Sequence, residues 1–175
     1  MKLWNKKDLL NKKIEKFTIG EDRINDLYLA KYDVIASLAH AKMLKKVSII
    51  NSKELKALEY ELINLKKDIK DGKFEIENKF EDVHSKIESI LTEKLGEAGK
   101  KIHTGRSRND QVLVATQLYL KDEINKIKSL TKELFNVLID LSKKNKDHLL
   151  PGYTHLQVAM PSSFGLWFSA YAESL

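Results

Sequence analysis

The chain has 175 residues, enough for an ordinary domain with a real core, and its seven glycines and two prolines are few enough to favour a helical protein. It has no cysteine, which excludes disulfides, thiolate metal ligands and a cysteine nucleophile together. The formal net charge of +6 invites a nucleic-acid reading, but the lysines alternate with Glu and Asp, as over residues 54–73, in the manner of solvated helix faces, and no nucleic-acid-binding signature accompanies them.

No apolar run approaches the roughly 18 residues of a membrane span. The N-terminus lacks a secretory hydrophobic region, so a cytoplasmic protein with neither membrane nor nucleic acid as partner is expected. Residues 1–20 mix Leu3, Trp4, Leu9, Leu10, Ile14 and Phe17 with lysines. They read as an arm packed on a neighbour or as a loose tail, and the large apolar side chains favour the arm.

Over residues 22–47, Leu27, Ala30, Val34, Leu38, Ala41 and Leu44 recur at steps of three and four, the stripe of an amphipathic helix. Ser37 and His40 share one face of it, and a histidine so placed is more often a hydrogen-bonded structural residue than a catalyst. Asn51-Ser52 followed by Glu54 and Leu55 predicts a second helix start. Leu55, Leu58, Leu62, Leu65 and Ile69 continue that helix to a stop at Asp71-Gly72, making a helical hairpin with the first. An acidic and aromatic connector, residues 74–80, leads to Glu81-Asp82-Val83-His84-Ser85-Lys86-Ile87-Glu88, a further helix start in which His84 and Glu88 are spaced to face each other.

Gly96, Gly99 and Gly105 bracket a loop that delivers Lys100-Lys101-Ile102-His103-Thr104-Gly105-Arg106-Ser107-Arg108-Asn109-Asp110-Gln111. Only three arginines stand among twenty-eight lysines, and two of them, Arg106 and Arg108, fall in this run. Arginine is the residue for planar, forked recognition of a carboxylate. A helix beginning here adds free backbone N–H groups and the positive end of its dipole, so the run reads as an anion site, or else Ser107 and Asn109 serve as plain helix caps.

From Gln111 onward Leu113, Leu120, Ile124, Ile127, Leu130, Leu134, Leu138 and Leu141 follow helical steps. A helix over residues 107–145 would run about 58 Å at ~1.5 Å per residue, and such a rod needs partner helices along its length. The chain then passes into Gly152-Tyr153-Thr154-His155-Leu156-Gln157-Val158-Ala159-Met160-Pro161, flanked by both prolines, Pro151 and Pro161. This predicts an extended or looped passage with a helix restarting near Pro161. The last stretch, with Phe164, Leu166, Trp167, Phe168, Ala170, Tyr171 and Leu175, is apolar nearly all round and suits a helix inside a bundle. Its uncapped end points to an N-terminal piece of a longer protein.

Three stretches in chain order, Glu81-Asp82-Val83-His84, Thr104-Gly105-Arg106-Ser107-Arg108-Asn109-Asp110-Gln111, and Gly152-Tyr153-Thr154-His155-Leu156-Gln157 with Pro161, resemble the argininosuccinate lyase family of the fumarase/aspartase superfamily. Leu29-Ala30 through Asp33, and Ser37 to His40, resemble that family's early helix. The form of residues 105–110 favours this family over fumarase, aspartase and adenylosuccinate lyase.

The resemblance implies an all-α fold, with a helical N-terminal domain over residues 1–105 and, over residues 106–175, the first long helices of a fumarase/aspartase-type bundle. It implies a homotetramer with a central twenty-helix core and active sites each built from three subunits. The implied reaction is reversible elimination of argininosuccinate to arginine and fumarate in arginine biosynthesis, on a small-molecule substrate with no metal or organic cofactor. Carried onto this chain, Ser107, Arg108 and Asn109 would hold the fumarate-side carboxylates and Thr154 would add a hydroxyl donor. His155 would orient groups or relay protons as the catalytic residue present, and Asp82 would lie near the arginine moiety with His84 beside it. Arg106 and Gln157 are left as structural.

Two departures accompany the resemblance. The family's Trp-Gly-Gly-Arg-Phe opening is Trp4-Asn5-Lys6-Lys7-Asp8 here, and its small hydroxyl residue ahead of the first long helix aligns with Asp22. The family's Gly-Ser-Ser and Met-Pro-x-Lys-x-Asn loop, which carries the serine base, is absent from these residues, so this polypeptide is expected to be inactive alone. The reading from a different class is a non-catalytic helical scaffold that assembles with itself.

Overall fold

The computed structural model describes residues 12–175. The expected arm contacts of Leu3, Trp4, Leu9 and Leu10 lie outside the described residues. The chain separates into two compact units, Met1–Leu120 and Lys121–Leu175.

In the first unit a short helix α1 (Lys12–Ile19) precedes α2 (Asp22–Lys46), α3 (Ser52–Lys70) and α4 (Val83–Leu95), which carry the core. The periodic apolar positions meet inside: Ala30, Val34, Ala41 and Leu44 from α2, Leu58, Leu62 and Leu65 from α3, and Val83, Ile87 and Leu91 from α4, closed by Ile50, Phe74 and Ile102. Asn51 starts α3 with a reciprocal cap. Its side chain accepts the Lys53 and Glu54 N–H groups, and the Glu54 carboxylate accepts the Asn51 N–H at 2.8 Å. Asp82 starts α4 by accepting the Ser85 N–H at 2.7 Å and the Ser85 hydroxyl at 2.6 Å.

The connector between α3 and α4 has no regular structure but buries Phe74 and Phe80. Arg23, the third arginine, ties it to α2 through Nε to the Phe80 carbonyl at 2.9 Å and Nη2 to the Asn78 carbonyl at 3.1 Å. After α4, the one-turn α5 (Glu97–Lys100) folds back so tightly that a Cβ on Gly99 would stand 2.1 Å from the Leu91 carbonyl oxygen. A single 3₁₀ turn, Lys101–His103, then leads through Gly105, at φ +74, into α6 (Arg108–Lys144). Glycine alone adopts that backbone without strain, and the turn it permits delivers Arg106 and Arg108 to the same neighbourhood.

The long helix is close to its expected span, 37 residues. In the second unit its later turns are followed by β1 (Leu149–Thr154), β2 (Gln157–Ser163) and α7 (Phe164–Glu173). The two strands form an antiparallel hairpin with Pro151 opposite Pro161 and Thr154 opposite Gln157, and a bulge at Gly152/Tyr153. His155 and Leu156 are therefore the two-residue turn, at φ 50 and 64. The helix restarts at Phe164, three residues beyond Pro161. Pro161 is accommodated in a two-stranded ladder that has only edges, and Ser163 supplies the cap, its hydroxyl accepting the Leu166 N–H at 3.1 Å. The fold is all-α in character with this hairpin added. Among the described residues no helix is long and apolar enough to cross a membrane.

Candidate functional site

In α2, Asp33, Ser37 and His40 stand at i, i+4 and i+7, so one face of the helix presents three polar side chains beside its apolar stripe. Asp33 and Ser37 are fully buried. Each of the three meets a group from later in the chain. The Asp33 Oδ1 lies 2.8 Å from Nδ1 of the buried His84 in α4. Ser37 Oγ accepts from Arg106 Nη1 at 3.1 Å. His40 Nε2 lies 2.9 Å from the Thr104 carbonyl oxygen, and since a carbonyl only accepts, that nitrogen carries the proton.

The Asp33–His84 contact is close but poorly aligned. Neither partner atom completes a well-directed hydrogen bond, and the other Asp33 oxygen has no partner either. Arg106 is pulled below the ordinary arginine pKa by burial, opposed by the carboxylates of Asp33 and Glu88. His40 is pulled below the usual histidine value by burial, only partly offset by its bond to Thr104. Asp26, about two turns before Asp33 on α2, accepts the Val83 N–H at 3.1 Å, and its burial raises its pKa.

Arg108, the first residue of α6, is encircled. Nε lies 3.3 Å from Asp82 Oδ2, and Nη1 lies 3.3 Å from Glu88 Oε1. Nη1 also donates to Gln111 Oε1 at 3.0 Å, while Nη2 reaches Ser85 Oγ at 3.4 Å. Glu88 Oε1 further meets His103 Nδ1 at 2.9 Å. The pairing of His84 with Glu88 suggested by their spacing is therefore not formed: His84 turns to Asp33 of α2, and Glu88 to His103 and Arg108 of the 103–108 run.

Ser107 caps α6. Its N–H donates to Asp110 Oδ2 at 2.7 Å and its hydroxyl accepts the Asp110 N–H at 3.4 Å, and the first of these bonds holds the Asp110 carboxyl below the usual carboxylate range. Asn109 beside it is exposed at the positive end of the helix. The capping alternative is thus real for Ser107 and leaves Asn109 on the surface. Thr154 and His155 belong to the second unit, where both are exposed at the hairpin tip.

The first unit sets Asp82 against Arg108 at the start of α6, where Ser107 and Asn109 also lie, while His84 is buried against Asp33 of α2. Sequence reasoning did not single out Asp33, Glu88 or Gln111 as parts of this cluster. The available signal for Asp33 was the polar spacing of 33, 37 and 40 beside the apolar stripe of α2. Chemically, the cluster is a set of donors around a helix N-terminus with its arginines already balanced by carboxylates. Among the described residues no three His, Asp or Glu side chains gather as a metal-ligand set.

A family model described as lyase matches residues 1–175. Argininosuccinate lyase of Phocaeicola vulgatus is 54% identical over 174 residues, covering 99% of this chain and 39% of the relative. Argininosuccinate lyase of Stenotrophomonas maltophilia is 44% identical over 173 residues, covering 98% and 40%. The chain thus spans about two fifths of the length of these curated relatives. Among solved structures, a β-carboxy-cis,cis-muconate cycloisomerase from Acinetobacter calcoaceticus aligns with TM-score 0.68 at 16% identity over 93% of this chain and 38% of that one. A fumarate lyase from Mesorhizobium aligns with TM-score 0.67 at 21% identity over 89% and 38%. At these identities the structural likeness speaks to the fold.

Proposed function

Because this chain belongs to the lyase family, whose model it matches throughout, we propose that it carries part of an argininosuccinate lyase, catalysing reversible elimination of argininosuccinate to arginine and fumarate. The observation that carries this reading is the 54% identity along 99% of the chain to a protein of that name. The donor cluster at the start of α6 supports it. The function so proposed is cytoplasmic arginine biosynthesis by a homotetramer that uses no metal or organic cofactor.

The chemistry asks for a base that removes the proton beside a carboxylate, donors that hold the resulting aci-carboxylate, and an acid that assists departure of the guanidinium nitrogen. Ser107, Asn109 and the N-terminal amides of α6 hold one carboxylate, with the helix dipole favouring its charge. Arg108 supplies the forked cation, preset in its plane by Asp82 and Glu88. Thr154 adds a hydroxyl donor and His155 orients or relays protons from the hairpin turn. Asp82 lies near the arginine moiety, with His84 buried beside it.

These 175 residues hold binding groups of the reaction without the serine base, so the polypeptide alone is expected to produce no fumarate. Mixing it with the C-terminal three fifths of a relative and following fumarate absorbance tests the proposal. Fumarate on mixing supports it. Stable association without fumarate favours the helical scaffold, a reading supported by the exposed apolar side chains Ile124, Ile127, Leu130 and Leu134 of α6.

A further inference from the structure

We propose that Asp33 is a positioning residue of this site: its buried carboxylate, 2.8 Å from the ring, fixes a proton on Nδ1 of His84. The proposed lyase chemistry is what gives the positioned groups a use, and the inference rests on that reading in this respect alone.

Asp33 is 0% exposed and His84 1% exposed. A carboxylate so enclosed is costly unless cations or donors compensate it, and neither Asp33 oxygen has an aligned hydrogen bond. What stands against it is the His84 ring at 2.8 Å, while the Arg106 guanidinium is fastened one turn further along by Ser37 at 3.1 Å. The field of Asp33 in turn supports the charge on Arg106 against its burial. Two side chains one turn apart on α2 thereby meet α4 and the turn before α6, Asp33 through His84 and Ser37 through Arg106.

The consequence for His84 is specific. A ring nitrogen beside a carboxylate holds its proton, and the state of one nitrogen sets the role of the other. With Nδ1 protonated, Nε2 carries the lone pair in the neutral ring and becomes a second donor in the imidazolium. A buried residue that served packing alone would leave this choice of tautomer unaffected.

The test is long-range ¹H–¹⁵N spectroscopy of the histidine rings in the protein and in D33N, with H84Q assigning the His84 signal. In the unaltered protein His84 is expected to carry its proton on Nδ1. In D33N the ratio of Nδ1–H to Nε2–H forms is expected to fall roughly tenfold, the scale of losing one charge-assisted contact. Should D33N fail to fold because Arg106 loses its counter-charge, the double variant D33N/R106Q removes both buried charges together and is read in the same way. A folded variant of either kind that keeps the unaltered tautomer ratio overturns the proposal. Failure of the lyase reading shows elsewhere, as absence of fumarate on mixing with the complementary piece, and does not move the tautomer ratio.

Discussion

At the scale of single residues, the two arginines of the 105–109 run divide their work. Arg108 has partners in three directions in its plane, which lysine with its compact ammonium cannot match. Arg106 is turned inward to Ser37, so it anchors the backbone from which Ser107 and Asn109 project. His40 completes the anchor by donating to the Thr104 carbonyl, and its lowered pKa gives the anchor a pH dependence. The folded state favours the neutral ring, so the unfolded chain binds the proton more readily. The stability this contributes is complete above the unfolded value of 6.5 and is eroded as pH falls from there toward the lower folded value. Substituting His40 with Gln keeps an N–H donor that cannot be protonated, and the expected result is a flatter Tm between pH 5 and 7 than in the unaltered protein. An equal slope in both proteins, measured by thermal unfolding in matched buffers, would count against His40 as the source. The hairpin turn supplies a second single-residue case. Leu156 is 97% exposed and sits at φ 64, so it packs on little while bearing the strain of a left-handed backbone. Leu156→Gly is expected to stabilise the protein by about 1 kcal/mol in urea unfolding, and a loss of stability would show that the side chain has a partner.

At the scale of elements, periodicity made α2, α3, α4 and the long α6 legible, because each buries one stripe against a core and the stripe repeats in the sequence. Asn51 with Glu54 could be read as a helix start for the same reason: a cap is a local event three residues long. The hairpin was legible only as an extended passage. Most of its strand residues are exposed, so no alternation of buried and open side chains marks them, and two prolines argue against strand in any sheet with a centre. The arginines of the site stood out by composition, but their partners did not. Arg106 and Ser37 are 69 residues apart, and no local pattern reports a contact of that reach. Gly99 is another residue whose reason lies across elements. Its absent side chain lets α5 lie on the end of α4, where a Cβ would stand 2.1 Å from the Leu91 carbonyl oxygen and 2.6 Å from the Thr92 nitrogen. Both neighbours are backbone, so relief requires moving a helix. Gly99→Ala is therefore expected to destabilise the protein by about 3 kcal/mol, the upper range of overpacking, as a lowered urea midpoint. An unchanged midpoint would mean that α5 is free to shift away and does not hold the 101–108 segment in place.

At the scale of the whole molecule, the second unit raises the question of what its long helix is for. Ile124, Ile127, Leu130 and Leu134 are 60%, 61%, 63% and 50% exposed, and their steps of three and four put them on one side of α6. A helix with this much apolar surface open to water gains little from folding alone and much from a partner that covers the stripe. The same unit exposes Trp167 at 48% and Tyr171 at 55% in a ring cluster with Phe164 and Phe168 on α7. Isolated apolar residues on a surface need no explanation, but a contiguous row at helical spacing does. The proposed homotetramer supplies one, since copies of α6 packed side by side remove the row from water at roughly 25 cal/mol per Å². The expected behaviour is sedimentation of the unaltered protein as an oligomer. Ile127→Lys combined with Leu134→Lys places two charges one heptad apart in the middle of the row, and desolvating them on association is costly. That double variant is expected to sediment as a monomer while the His84 and Arg108 cluster of the first unit keeps its ring signals. Because both positions are already solvated in the chain itself, a monomer that remained helical would place the loss in association rather than in folding. Sedimentation unchanged by the two lysines would show that the row is not what the copies share.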